Sequence, residues 1–396
     1  MASASTAGPG PGPGPGPGPG PGPDPELATG PALKRSPLHD RHVAAGARFA
    51  SFSGWEMPLE YAGGGVLAEH RAVREQVGIF DVSHLGKAII SGDAALALAE
   101  RVFTNSLGRI TNGQAQYTLC CTPDGGVVDD LIAYRRSQSE LFLVPNAANT
   151  AAVVGALQYS AGPDVSVTNR HTDFAVLAVQ GPDSDAVLQQ AGLPYGHRYL
   201  SFRDATHPAA ERPVTVCRTG YTGERGYEIV TETSDAGPIW DALLQAGRGF
   251  GLRTCGLGAR DTLRTEMGYA LHGHEISLDI SPVQARLGWA VGWDKRGFTG
   301  RDALVAERSR PGGRRLWGLR ALGRAIPRPG MAVSDSGGTI VGTVTSGTFS
   351  PTLRVGIGLA LLERPLAPDA EVAVLVRGRA EPFTVVRPPF VDRSPA

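Results

Sequence analysis

From about residue 35 onward, the apolar positions of this chain switch repeatedly between a spacing near two and a spacing near four. That alternation predicts strands and helices in turn. Arg35 to Tyr61 reads as a short helix followed by a turn-rich stretch, Ser51 to Pro58. Val66 to Gln76 carries Leu67, His70, Val73 and Arg74 on related helix faces, and Gly78 then suits a helix end before the strand-like Val77 to His84. Between Lys87 and Tyr159, strands are predicted at Ala88 to Ser91, Gln116 to Cys121, Val127 to Tyr134 and Leu141 to Val144, with helices at Ala94 to Phe103 and Ala147 to Gln158. Further on, the pattern predicts a strand over Phe174 to Gln180 and a helix over Ser184 to Gln190. A hairpin follows over Val214 to Val230, turning around Tyr221 to Gly226, and a long helix from about Gly258 to Tyr269. After Arg314 the helical signal fades; strands at Gly338 to Val344, Arg354 to Leu362, Glu371 to Val376 and Ala380 to Val386 suggest a small β barrel or sandwich. Antiparallel pairing with interspersed helices indicates an α+β fold, not a doubly wound sheet.

Composition narrows the picture. A chain of 396 residues can hold two or three domains, and 41% apolar with 19% charged residues is ordinary for a globular protein. The 38 basic and 38 acidic side chains cancel, so nothing electrostatic points to nucleic acid or a charged membrane. The four cysteines show no C-x-x-C spacing and no regular framework, which fits a reducing interior. No Cys/His/acid cluster has metal-ligand spacing, so no metal is expected. No apolar run reaches the roughly 18 to 20 residues needed to cross a bilayer, no signal pattern opens the chain, and a cytoplasmic protein is expected. Gly8 to Pro23 alternates Pro and Gly with nothing to bury, which predicts a disordered tail ending near Lys34.

Four segments could carry chemistry. In Pro123 to Tyr134 a turn signal precedes a β-branched run interrupted by Asp129 and Asp130. Strand alternation sets Asp129 with Val127, Leu131 and Ala133, and Asp130 with Val128, Ile132 and Tyr134, so one acid faces inward and needs a partner or a task. Taken alone, the segment reads first as a hairpin with its acids near a sheet end, in water. Gly220 to Glu228 combines glycines, tyrosines and acids: either a surface hairpin, or a backbone shaped to approach a planar ligand with a carboxylate to accept paired N–H bonds. Cys255 to Tyr269 places Arg260, Leu263, Arg264 and Met267 on one helix face, as an internal ion pair or an anion site. Asp81, Ser83 and His84 lie within four residues, but without a G-x-S-x-G elbow they do not make a hydrolase.

Taken in order, Gly54-Trp55-Glu56-Met57-Pro58, Phe80-Asp81-Val82-Ser83-His84, Gly125 to Ile132, Val179-Gln180-Gly181-Pro182, Gly220 to Glu224, Gly258 to Arg264 and Ser346 to Pro351 resemble the T-protein of the glycine cleavage system, over roughly Ser36 to Arg393. The resemblance implies a three-domain folate-binding fold with antiparallel sheets and a C-terminal β barrel. The implied division is a tail over 1–33, a discontinuous central domain over 34–86 and 170–275, a second α+β domain over 87–169, a connecting segment over 276–313 and the barrel over 314–396. It further implies an aminomethyltransferase that takes the aminomethyl group from the lipoyl arm of the carrier H-protein. The one-carbon unit passes to tetrahydrofolate, releasing ammonia, 5,10-methylenetetrahydrofolate and dihydrolipoyl carrier.

Carried over residue by residue, the resemblance assigns the catalytic aspartate to Asp129, leaving Asp130 structural, and the pterin-binding glutamate to Glu228. Tyr221 and Tyr269 match aromatic positions lining the folate site, and Arg260 an arginine that contacts it. Tyr117 aligns with another site tyrosine, although pairing across the Pro123 to Gly126 turn puts it opposite Ile132, on the face away from Asp129, unless a bulge intervenes. Arg393 aligns with a C-terminal arginine found in some members. Leu271-His272-Gly273 stands where the family often has Leu-Tyr-Gly. The alternatives are a folate-dependent demethylase of a related small substrate and a non-catalytic folate-binding regulatory protein. The iron-sulfur maintenance branch of the fold is disfavoured, because Asp294 to Gly300 lacks its signature cysteine.

Overall fold

The computed structural model describes residues 32–208, 211–310 and 312–395. The Pro/Gly tail lies outside them. Three sheets and a closed barrel organise the chain from Lys34 onward.

A six-stranded sheet is built on the Phe174–Gln180 strand, which pairs antiparallel with Gly78–Asp81 on one side and Gly226–Glu232 on the other. Gly226–Glu232 pairs in turn with Arg212–Cys217, closing the expected hairpin around a loop at 218–225. Alternation gives this sheet two uses. Leu177, Val179, Tyr227 and Ile229 pack with Trp240 and Leu243 of the Ala236–Gly247 helix, while Val176, Ala178 and Val230 join Phe80, Ala259 and Leu263 on the other face. Burial of this kind contributes roughly 25 cal/mol per Å² of apolar surface.

The second sheet, Gln114–Cys121, Val127–Arg135, Glu140–Val144, Ala88–Ser91 and Ser166–Asn169, carries the paired aspartates. Its first hairpin is pinned at the turn. Gly125 has φ +89°, and a Cβ on Gly126 would meet the Leu278 carbonyl oxygen at 1.9 Å, so only glycine lets the turn lie against that segment. A bulge sets Cys120 opposite Asp129 but Cys121 opposite Val127. Below it the register is regular, and Tyr117 stands opposite Ile132.

The C-terminal barrel closes in the order Arg315–Ala321, Val355–Leu362, Ile340–Ser350, Ala332–Ser334, Glu371–Val376 and Arg379–Val386. Its apolar interior includes Trp317, Leu319, Val344 and Phe383. Glu266, on the Leu257–Met267 helix, ties the barrel to the rest: it accepts hydrogen bonds from His70 at 3.0 Å and Arg74 at 2.8 Å, and from Ser350 and Thr352 of the barrel. Burial works against the charge, but His70, Arg74 and the Ser350 hydroxyl together hold the Glu266 carboxyl down at about 2. Arg264 makes a parallel link, to Glu275 at 2.9 Å and Ser346 at 2.7 Å.

Several segments depart from the sequence reading. Ser51 to Pro58 is not an irregular turn-rich stretch; Ala47–Phe52 and Trp55–Tyr61 form an antiparallel hairpin around Ser53-Gly54. Its burial alternates irregularly through Met57-Pro58-Leu59, which hid the strand period. The Ala236–Gly247 and Arg301–Ser309 helices also escaped the reading. All four cysteines are free and buried. Among the described residues no helix is long and apolar enough to cross a membrane, and no group of three or more His, Cys, Asp or Glu could hold a metal ion.

Candidate active site

Strand alternation at Val127–Arg135 separates the two aspartates as expected, but the destinations are the reverse of those assigned to them. Asp129 points with Leu131 and Ala133 into the core of its own sheet and is fully enclosed, at 0% exposure. Its oxygens are occupied. The backbone N–H of Asn146 donates to Oδ2 at 2.8 Å, and the side-chain amides of Asn146 and Asn149 donate to Oδ1 at 2.9 and 2.7 Å. Asp130 lies on the opposite face with Ile132 and is partly exposed. It accepts from the Tyr117 hydroxyl at 3.0 Å and the Asn146 amide at 2.8 Å. The expectation that Asp129 faces the cofactor and Asp130 is structural is therefore corrected: Asp129 is sealed behind the strand, and the acid on the open face is Asp130. Tyr117 shares that face because its register with Ile132 is intact; the bulge lies beyond it, at Cys120.

The asparagines were missed in the sequence. Asn149 is the N-cap of the Thr150–Ser160 helix, yet its side chain makes no cap hydrogen bond, being committed to Asp129. The helix was expected to start at Ala147, which would have hidden this residue within it. A pair of asparagines three apart after a strand was the available signal. Burial, then the neighbouring Asp130 charge, pushes the Asp129 carboxyl up from the usual range against its three N–H donors. Burial pushes Asp130 up as well, while Tyr117, Asn146 and His272 pull it back. Burial and the Asp130 charge keep the Tyr117 phenol protonated as a donor.

The other assigned residues gather nearby. Glu228, 8% exposed, sits mid-strand and accepts a short hydrogen bond from Thr219, whose hydroxyl also meets Tyr134 at 3.1 Å. Arg260, in the first turn of its helix, stacks over the Tyr221 ring at 4.6 Å and is attracted by Glu228. It has no hydrogen-bonded carboxylate among the described residues, and burial lowers its pKa. Tyr221 lies 5.8 Å from Tyr269 between ring centres, and the charge of Asp130 reaches its phenol. Tyr117 stacks at 5.1 Å on the exposed Trp289. Arg393 stands apart: it approaches Glu224 at 3.5 Å, and Glu224 is held by Arg74 at 2.9 Å. His272 donates from Nε2 to the Val127 carbonyl at 3.1 Å, buttressing the strand that carries both acids.

Gln180 explains the glycine-rich loop. Its amide donates to the carbonyls of Thr219 and Tyr227 and accepts from Thr222, and a Cβ on Gly220 would meet its oxygen at 2.0 Å. Those glycines make room for Gln180, which in turn sets Tyr221 and Glu228. The Asp81-Ser83-His84 run is structural too. Asp81 bonds His42 at 2.9 Å and the Ser36 hydroxyl, and Ser83 Oγ accepts from the Val176 N–H. Burial, then the Arg260 charge, pushes the His84 imidazole down to about 3, so it is neutral beside the site.

The site thus combines a carboxyl raised from its usual range and, among the described residues, a carboxylate with one oxygen free of protein donors, an arginine without an acid partner and three tyrosines. Comparison with known proteins finds relatives over nearly the whole chain. The GCVT N-terminal domain profile matches residues 38–295, and the glycine cleavage T-protein C-terminal barrel domain matches 314–392. The aminomethyltransferase of Parafrankia sp. (strain EAN1pec) is 62% identical over 92% of this chain and 99% of its own length. That of Mycobacterium tuberculosis (strain ATCC 25618 / H37Rv) is 57% identical over 91% of this chain and 98% of its own. Among solved structures, the glycine cleavage system aminomethyltransferase T from Bartonella henselae superposes with a TM-score of 0.84 at 33% identity, over 91% of this chain and 99% of that one. This chain belongs to the glycine cleavage T-protein family, the aminomethyltransferases.

Proposed function

We infer that the chain transfers the one-carbon unit of an aminomethyl group, carried on the lipoyl arm of H-protein, to tetrahydrofolate, releasing ammonia. The observation that supports this reading is Asp130: a carboxyl raised from its usual range, held by Tyr117 and Asn146, whose charge reaches Tyr221, the ring over which Arg260 lies. Glu228 accepts side-by-side N–H groups of the pterin, the tyrosines cover its ring, and Arg260 contacts the folate. No metal is required, and the setting is cytoplasmic.

Atoms balance as follows. The protonated aminomethyl thioether, S–CH₂–NH₃⁺, loses both its C–S and its C–N bond. The carbon forms bonds to folate N5 and N10, whose two protons leave with the thiol and with ammonium. Carbon passes through an iminium-like cation. Asp130 hydrogen-bonds the folate nitrogen, stabilises that charge and relays the proton, with a pKa nearer neutrality than an exposed aspartate's. Tyr117, kept protonated, fixes the carboxyl's orientation. A nucleophilic side chain is not needed, consistent with four buried cysteines and with Ser83 spent on the backbone.

The test mixes the protein with aminomethylated lipoyl carrier and tetrahydrofolate and follows ammonia. Release should depend on both protein and folate. Release without folate, or none at all, defeats the reading. A demethylase would instead turn over a methylated amine without the carrier.

A further inference from the structure

Strand pairing leaves one stretch of the acid-bearing strand open. Gln114–Cys121 lines one edge of Val127–Arg135, but on the other edge Glu140–Val144 reaches only from Ile132 onward. Backbone groups at such an edge need partners from elsewhere. The segment 271–278 supplies them at Val127: the Ser277 carbonyl accepts from its N–H at 2.7 Å, and His272 Nε2 donates to its carbonyl at 3.1 Å. Leu278 closes against Gly126 at the same end. The segment is anchored in turn from the barrel side. Buried Glu275 accepts from the Leu271 N–H at 3.0 Å, from Arg264 at 2.9 Å and from the Thr345 hydroxyl at 2.6 Å, and His274 Nδ1 meets the Thr345 carbonyl at 2.8 Å. Half-buried His272 therefore joins a fixed support to the open strand edge by one hydrogen bond.

A carbonyl only accepts, so Nε2 carries a hydrogen whether the imidazole is neutral or charged. Nδ1 makes no hydrogen bond among the described residues, and it can take up a proton without breaking the link to Val127. That positive charge acts on Asp130, three residues along the strand, and favours its ionised form. The other titratable groups facing Asp130 bring no positive charge: Asp129 on its own strand, Tyr117 on Gln114–Cys121 and Tyr221 in the 218–225 loop. Arg260 and Arg264 act on Tyr221, and Arg264 is spent on Glu275. We propose that His272 is a positioning residue for the transfer reaction, fixing the open edge of the acid strand through Val127 and, when protonated, setting a positive charge beside Asp130. The proposal rests on the transfer reading above.

The experiment compares wild type, His272→Ala and His272→Gln in the full chain, with aminomethylated lipoyl carrier and tetrahydrofolate, across a range of pH. His272→Ala should lower kcat about tenfold and change the KM for carrier and folate by less than about twofold, because the acid is displaced and the binding surface is not. In His272→Gln the amide can donate to the same carbonyl, so most of kcat should return at neutral pH and above. On the acidic limb, where the missing charge matters, this variant should fall about threefold further behind the wild type. NMR titration reads the charge separately: the His272 signal, assigned by its loss in His272→Gln, should titrate at lower pH in Asp130→Asn than in the wild type, since the coupling is mutual. Unchanged kcat in His272→Ala, or His272→Gln as slow as His272→Ala at neutral pH, overturns the positioning role; if His272→Ala does not melt cooperatively, His272→Gln against wild type decides. Equal His272 midpoints in wild type and Asp130→Asn overturn the charge. A wild type without turnover overturns the transfer reading and this role with it, whereas normal wild-type turnover beside an unaffected His272→Ala overturns this role alone.

Discussion

Replacing each aspartate by asparagine in turn separates the two acids, because the same substitution meets opposite hydrogen-bond demands. At position 130, an amide can aim its oxygen at the Asn146 side chain and its NH₂ at Tyr117, whose hydroxyl rotates to accept. The Asn146 amide keeps its acceptor and only the Tyr117 proton loses its own, so Asp130→Asn should change stability by about 1 kcal/mol. What it loses is the exchangeable proton, and aminomethyl transfer should fall by about 10² to 10⁴, the scale of a positioned acid or base, with folate binding retained. At position 129, three N–H donors converge on the two oxygens. An amide there satisfies the two side-chain amides with its oxygen but turns its NH₂ against the Asn146 backbone N–H, in a site with 0% exposure. A buried donor left unsatisfied costs about 1 to 3 kcal/mol, lessened by removal of the buried charge. Asp129→Asn should therefore lower the melting temperature by a few degrees and reduce transfer less than Asp130→Asn does. Thermal melts, folate binding and ammonia release on both variants make the comparison. Full stability with abolished transfer in Asp129→Asn, beside near-normal turnover in Asp130→Asn, would return the chemistry to the first acid.

Other consequences follow from the same contacts. Asn146 holds the ionised form of both acids, so Asn146→Ala should move the acidic limb of the rate profile to higher pH; an unmoved limb would deny it that role. Glu266 is depressed from 4.5 to about 2 in the folded state, a stabilisation of about 3 kcal/mol that is complete above its unfolded pKa and lost as pH falls through 4.5 towards about 2. Urea unfolding at pH 6 and pH 3 should therefore differ less in Glu266→Gln than in the wild type, and an unchanged difference would exclude Glu266 as the source. Gly126→Ala drives a methyl into the Leu278 carbonyl and should cost about 1 to 3 kcal/mol while slowing transfer through the displaced hairpin. Wild-type stability in that variant would show that the contact yields easily.

How far the sequence could be read depended on what each signal was about. Phe174–Gln180 and Ser184–Gln190 were legible to the residue because a continuous apolar run and a short amphipathic helix are bounded by Gly181-Pro182. Four of the six barrel strands were legible from their turns, while Arg315–Ala321 and Ala332–Ser334 were not. The hairpin at Ala47–Tyr61 was not, since a proline and a register shift between Arg48 and Phe49 break its alternation. Alternation also predicted that Asp129 and Asp130 would part company and that Tyr117 would side with the second. It could not say which face opened on the site, because that depends on Asn146 and Asn149 arriving from the next connection and on the sheet packing across the chain. Motif matching supplied the pair and chose its wrong member for the open face. Gln180 stands inside one of the matched motifs, but nothing local in the sequence says that it shapes the site by filling the space beside Gly220.

The most direct test of the account follows an isotopically labelled methylene carbon on the lipoyl carrier by NMR, with tetrahydrofolate and either wild-type protein or Asp130→Asn. The label should move to the folate with the wild type and stay on the carrier, over the same interval, with the variant. Transfer by Asp130→Asn at the wild-type rate, or a label that never leaves the carrier with the wild type, would contradict it.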